Sequence, residues 1–148
     1  MQFIHWESIL KIVVAFILAL PVGWERERHE RSAGLRTFPL VAVAACGFIL
    51  IGLTAFPGDN AAPSRMLQGL IGGIGFIGAG TIMKVQKHVH GTATAASLLA
   101  TAIIGMAVAF GLYDIAILLS VISLFTLRAF TAWKLIREDQ PAANSESQ

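Results

Sequence analysis

FPLVAVAACGFILIGLTAF, residues 38–56, carries no charged side chain. A helix that crosses the hydrocarbon core of a bilayer needs about 20 mostly apolar residues, so this run reads as one crossing. Its flanks have the opposite character. Upstream stand Glu25-Arg26-Glu27-Arg28-His29-Glu30-Arg31, and downstream Pro57, Gly58, Asp59, Asn60 and Pro63 form a breaker cluster. Beyond the flanks the apolar pattern resumes. It runs from Ile9 to Trp24 on one side, and through Met66 to Met83, Thr92 to Tyr113 and Ile115 to Trp133 on the other. The first run is short and reads as beginning earlier, near Phe3, with Lys11 snorkelling from its outer end. Gly111 and Asp114 leave only a tight turn between the last two runs.

Composition agrees with five crossings. Of 148 residues, 55% are hydrophobic and 14% charged, where a soluble domain carries roughly 25% charged residues. Half the usual charge cannot coat a water-facing surface, and the mean hydropathy of +0.70 points the same way. The expected fold is an all-α integral membrane bundle of five transmembrane helices over residues 1–136, followed by a short polar tail, 137–148. A signal peptide is excluded for the first run. Glu7 precedes it without a positive charge, and Glu25 to Arg28 follow in place of a small-residue cleavage site.

Orientation follows from Lys and Arg, which are retained on the cytoplasmic side. One set of loops holds Arg26, Arg28, Arg31, Arg36, Lys84, Lys87, Lys134 and Arg137, with Arg128 pointing that way from the fifth run. The other holds only Lys11 and Arg65. The N-terminus is therefore expected outside and the C-terminus in the cytoplasm. Trp6 and Trp133, near opposite ends, suit interfacial belts, as does Tyr113 beside Asp114 at the outer turn. No Lys/Arg stretch interleaved with aromatics marks a nucleic-acid surface.

Lipid gives helices no hydrophobic reason to associate, so small residues must let backbones approach. Ala15, Ala19 and Gly23 recur at four-residue spacing on the first helix. Ser97, Thr101, Gly105 and Ala109 do so on the fourth, with Thr94 on the adjoining face. The third is extreme: Gly69, Gly72, Gly73, Gly75, Gly78 and Gly80. Two readings stay open for it, namely close packing alone, or a bent helix that offers carbonyls to an ion. Gly73-Ile74-Gly75-Phe76-Ile77-Gly78 also fits G-x-G-x-x-G, but that motif binds dinucleotides only between a strand and a helix. Nucleotide binding is rejected.

The polar residues are few. Arg26–Glu30 and Glu27–Arg31 would be i,i+4 pairs if the first helix continued past the membrane. Glu25 at the boundary would need a partner such as Arg36, or a cation. Mg²⁺ takes oxygen ligands in octahedral array, and Glu25 with carbonyls or hydroxyls could provide some of them. His88 and His90 form a His-x-His pair without a third ligand nearby, a weak metal signal against the simpler reading of a solvated basic loop. The single cysteine, Cys46, lies inside an apolar run and reads as a packed thiol. No Ser-His-Asp or Cys-His arrangement suggests an enzyme.

Three blocks of these residues resemble the MgtC/SapB family of membrane proteins. The first is Gly23-Trp24-Glu25-Arg26-Glu27-Arg28 with Ala33-Gly34-Leu35-Arg36-Thr37. The second is Arg65 and Gln68 followed by Gly73 to Ile82. The third is Gly91-Thr92-Ala93-Thr94-Ala95-Ala96-Ser97 with Thr101, Ala102 and Gly105. The resemblance implies a five-helix domain of the bacterial inner membrane, associated with growth at low magnesium and with virulence. It implies either a magnesium-handling protein or a non-transporting regulator of another membrane protein; the small size of the bundle, separately, suggests a homodimer. For an ion it points to Glu25, Arg26, Glu27, Arg36, Thr37, Thr94, Ser97 and Thr101, with Glu25 as the metal contact. For helix packing it points to Gly73, Gly75, Gly78, Gly80 and Gly105. The chain departs from the family pattern in four places. Thr92-Ala93 displace one hydroxyl, Ala62 stands where an acidic residue is common, Phe38-Pro39 follow Thr37, and only a short tail follows Trp133, as in the shorter SapB-like form.

Overall fold

The computed structural model describes residues 6–28, 33–58, 61–85 and 88–138. Five helices follow in order: α1 (Trp6–Glu27), α2 (Thr37–Ala55), α3 (Ala62–Gly80), α4 (Thr92–Ala109) and α5 (Tyr113–Glu138). By length and composition, α1, α2 and α4 are each able to cross a bilayer. Helix α3 is diluted by glycine, which adds length without apolar surface.

The helix ends show their causes. Pro63 lies in the first turn of α3, where its missing N–H is no loss, so α3 begins at Ala62 rather than at Met66. Helix α4 stops at Ala109 instead of reaching Tyr113, because Gly111 adopts φ 78°. The Leu112 N–H then reaches back to the Ala107 carbonyl (2.8 Å), and the Gly111 N–H to that of Val108 (3.0 Å). This is a Schellman cap, and it produces the tight turn that the sequence implied. The boundary expected at residue 136 falls inside α5, and residues 139–148 lie outside the described part of the chain.

One element was not foreseen. The segment between α3 and α4, read as a plain loop, contains a two-stranded antiparallel ribbon, β1 (Met83–Val85) and β2 (His88–His90), with Lys84 opposite Val89. Pairing satisfies backbone groups that a short connection would otherwise leave to solvent.

Helix α4 is the hub and touches the other four helices. Its central and C-terminal turns are buried almost all round, from Ala102 through Ala109, with Ile103 only partly exposed. Around it pack Ala15 and Ala19 of α1, Ala42, Ala45 and Cys46 of α2, and Ala116 of α5. A core so rich in alanine is what close helix approach in lipid requires. Polar contacts also tie α1 in place. The Ser120 hydroxyl donates to the Leu18 carbonyl at 2.7 Å. Lys11 does not snorkel outward: its ammonium donates to the Ala109 carbonyl at 3.3 Å and pairs with Glu7 at 2.9 Å. The carbonyl end of a helix is short of donors and carries partial negative charge, so the C-terminus of α4 draws the lysine inward. Most large side chains on the outer surface are apolar, Phe76, Phe125 and Ile51 among them.

Candidate functional site

Glu25 and Arg26 occupy the last turn of α1, yet they are only 6% and 4% exposed. Neighbouring elements explain how a charged pair can be enclosed there. Helix α5 runs parallel to α1 along a seam that begins at the Ser120–Leu18 bond and ends where Arg128 Nε donates to Glu25 Oε2 at 2.9 Å. On the other side, Arg26 Nη2 donates to the Thr94 hydroxyl in the first turn of α4. Two adjacent residues thus hold α1 to two different helices. Burying an ion is expensive unless it is paired and hydrogen-bonded, so these contacts fix how the C-terminal ends of α1 and α5 meet the N-terminal end of α4.

The turn into α2 completes this end of the bundle. Glu27 Oε2 accepts the Leu35 N–H at 3.0 Å, and the Gly34 carbonyl accepts the N–H groups of Thr37 and Phe38 at 3.0 and 3.1 Å. A Cβ on Gly34 would lie 1.9 Å from that same Glu27 oxygen, so the residue without a side chain lets the carboxylate reach the backbone. Thr37 sits half-buried in the first turn of α2, and Arg36 beside it is exposed.

Glu25 therefore meets Arg128, and not Arg36 as the sequence suggested. Arg36 follows the turn at Gly34 and faces outward, whereas the α1–α5 seam delivers Arg128 to the carboxylate. Sequence reading had counted Arg128 only toward orientation. Its signal was present: an ionisable residue inside an apolar span usually has a named partner or a function. The proposed partners of Arg26 and Glu27 at positions 30 and 31 lie outside the described residues.

Two further hydroxyls of α4, those of Ser97 and Thr101, are buried but serve their own helix. Ser97 Oγ donates to the Ala93 carbonyl at 2.6 Å, with that of Thr94 at 3.0 Å, and Thr101 Oγ1 donates to the Ser97 carbonyl at 2.8 Å. Their lone pairs alone remain for any ligand. Among the described residues, no three His, Cys, Asp or Glu side chains come together in a way that could hold a metal ion. His90 is exposed on the ribbon.

The glycines divide sharply. A Cβ on Gly105 would lie 2.2 Å from the Ala42 carbonyl oxygen, so α4 and α2 touch backbone to backbone there. At Gly78 the nearest atoms, those of Ala95, are 3.5 Å away, an ordinary contact between α3 and α4. At Gly73, Gly75 and Gly80 nothing lies within 4 Å. Among the described residues, the expectation that these three pack helices is not met within one chain, and all three are exposed. At the C-terminal end of α3, the Thr81 hydroxyl donates to the Gly78 carbonyl at 2.7 Å. Gly91 closes the ribbon at φ 90°, where a Cβ would collide with the Thr81 carbonyl.

This geometry joins all three motif blocks, the first to the third through Arg26 and Thr94 and the second to the third through Gly78 against Ala95 and Thr81 beside Gly91. A family model described as the MgtC family matches residues 12–134. The chain belongs to the MgtC family. Among curated relatives, the MgtC protein of Salmonella typhimurium is 40% identical over 116 residues, covering 78% of this chain and 49% of that protein. YhiD of Escherichia coli K12, named as a proposed magnesium transporter, is 34% identical over 130 residues, 84% of this chain and 60% of its own. An uncharacterized protein of Synechocystis is 34% identical over 140 residues, 95% of this chain and 59% of its own. The chain thus spans about half to three fifths of the length of these relatives. No solved structure matches.

Proposed function

We propose that this MgtC-family chain is a five-span protein of the bacterial inner membrane, N-terminus outside and C-terminus cytoplasmic, that serves magnesium homeostasis. The asymmetry of Lys and Arg supports the orientation, and the parallel course of α1 and α5 fits it. The name carried by the YhiD relative supports the ion. The observation that carries the reading is the enclosed Glu25 carboxylate at the inner end of the bundle. A carboxylate in such a place is a functional candidate by default. In this reading Mg²⁺ is cargo, and it meets Glu25 only when Arg128 gives way, because a carboxylate neutralised by a guanidinium has little left for a cation.

The test is Mg²⁺ flux into proteoliposomes containing the wild type or Glu25→Gln, with empty liposomes as control. Flux in the wild type, reduced at least tenfold in the variant, is the expected result. Absence of flux from folded wild-type protein under an imposed gradient and potential counts against direct transport.

A second reading has its own observation. Gly73 and Gly80, seven residues apart, share one exposed face of α3, and Gly75 is exposed on another; among the described residues a Cβ on any of them would meet nothing within 4 Å, and a bare helix backbone suits docking of another membrane helix. In that case the chain regulates a neighbouring membrane protein, or pairs with a second copy, without moving ions. Docking then survives Glu25→Gln and fails with Gly73→Leu.

A further inference from the structure

Among the described residues, the arginine that ends the α1–α5 seam is held at its Nε edge. Glu25 Oε2 binds Arg128 at Nε, yet the Arg128 side chain is 58% exposed. A guanidinium has five N–H donors in a rigid plane. The bond to Glu25 uses the Nε donor and holds that plane in place, while the Nη edge belongs to a side chain that is mostly open to its surroundings. A fixed, outward-facing fork of this kind matches the oxygens of a phosphate.

The surface around the fork has the polarity of a membrane boundary. Phe125 and Val121 lie one and two turns before Arg128 on the same face of α5, and both are exposed. From Val121 to Arg128 the helix climbs about 10 Å, within the roughly 15 Å of one leaflet's hydrocarbon. Across the seam, Trp24 of α1 is exposed, and Arg28 follows one turn further out, also exposed. Tryptophan favours the headgroup level, which sets the depth at which the two arginines stand.

We propose that this seam seats an anionic phospholipid of the inner leaflet. The phosphate sits on the Nη edge of Arg128, with Arg28 adding a second positive charge, and an acyl chain lies along Phe125 and Val121. Charge complementarity selects the occupant. The cytoplasmic leaflet presents anionic headgroups, and each basic side chain near it contributes to their attraction. Glu25 acts here as a positioning residue that aims the fork without touching the lipid. The proposal rests on the orientation given above, with the C-terminal ends of α1 and α5 at the cytoplasmic boundary.

The experiment uses the full chain, delipidated in detergent and titrated with dioleoylphosphatidylglycerol or dioleoylphosphatidylcholine, with bound lipid counted by native mass spectrometry. The wild type is expected to prefer the glycerol lipid by on the order of tenfold. The double variant Glu25→Gln/Arg128→Gln, which leaves no orphaned carboxylate, should lose that preference while still binding the choline lipid. Arg128→Lys should fall between, since it keeps the charge and loses the fork. Arg28→Gln leaves the Glu25–Arg128 pair intact and should weaken the preference several-fold, which keeps the test decisive if the double variant does not fold. Equal binding of both lipids by the wild type overturns the proposal. So does a glycerol-lipid preference that survives all three variants, or displacement of the lipid by inorganic phosphate at equal concentration. Orientation is read separately by impermeant thiol labelling of Ser64→Cys and Arg36→Cys in intact cells. Labelling of Arg36→Cys from outside would sink the orientation without touching the lipid preference.

Discussion

Helices α3 and α4 are both built from small residues, and both carry a motif block of the family, yet the bundle uses them in opposite ways. Helix α4 buries 11 of its 18 residues, and Gly105 lets the backbone of α2 come into contact. Helix α3 buries only Ala62, Ile74 and Gly78 of its 19, and presents Gly73, Gly75 and Gly80 to the outside. The same residue type is therefore an internal contact on one helix and an external surface on its neighbour. Small residues permit close approach, but they do not say who approaches. On α4 the approach comes from within the chain. On α3 it would have to come from another molecule.

The contrast can be broken most forcefully at Gly105. Gly105→Leu should remove folded protein altogether, and Gly105→Ala should already cost about 3 kcal/mol, because its Cβ meets backbone that cannot swing aside. Thermal unfolding in detergent reads this, and an unchanged Tm for Gly105→Ala would show that the α2–α4 contact is looser than described.

A smaller loss is expected at the polar edge of the same helix. Thr94→Val keeps the volume and removes the acceptor for Arg26, at about 1–3 kcal/mol for a buried donor left without it. If unfolding of this variant matches the wild type, Thr94 does not lock α1 to α4.

The smallest effect belongs to α3. A Cβ at Gly73 would meet nothing within 4 Å among the described residues, so Gly73→Leu should leave the unfolding free energy within about 1 kcal/mol of wild type, with any change toward stability because glycine is the poorer helix former. The informative measurement is then made in the membrane. Loss of cross-linking to a second copy or to a partner protein, with monomer stability intact, would turn the exposed glycine face into an interface. A large drop in Tm for the isolated chain would instead erase the distinction between the two helices.

Much of the architecture was legible in the residues. All five helices form where apolar runs were seen, and the breakers at Pro57, Gly58 and Gly111 fall between them. The errors were local and instructive. Pro63 was read as a breaker when it also starts α3, and the connection after Met83 pairs as a ribbon because its backbone groups need partners. The candidate site was less legible. Glu25, Arg26 and Thr94 were singled out from the motif blocks and do gather at one end, but Arg36 was assigned a role that Arg128 fills. Lys11 was read as reaching for water when it caps α4.

The sequence by itself determined that this protein lives in a membrane, where its helices lie and which ends carry positive charge. These are properties of length, hydropathy and composition along the chain, and they need no partner to be defined. Tertiary structure alone decided which glycines touch a neighbour, which arginine meets Glu25 and which face of α3 stays bare. A helix that is apolar all round, as α2 and α4 nearly are, carries no hydrophobic contrast to mark its inner side. In lipid its rotation is set by packing against the others, and that information exists only once all five are assembled.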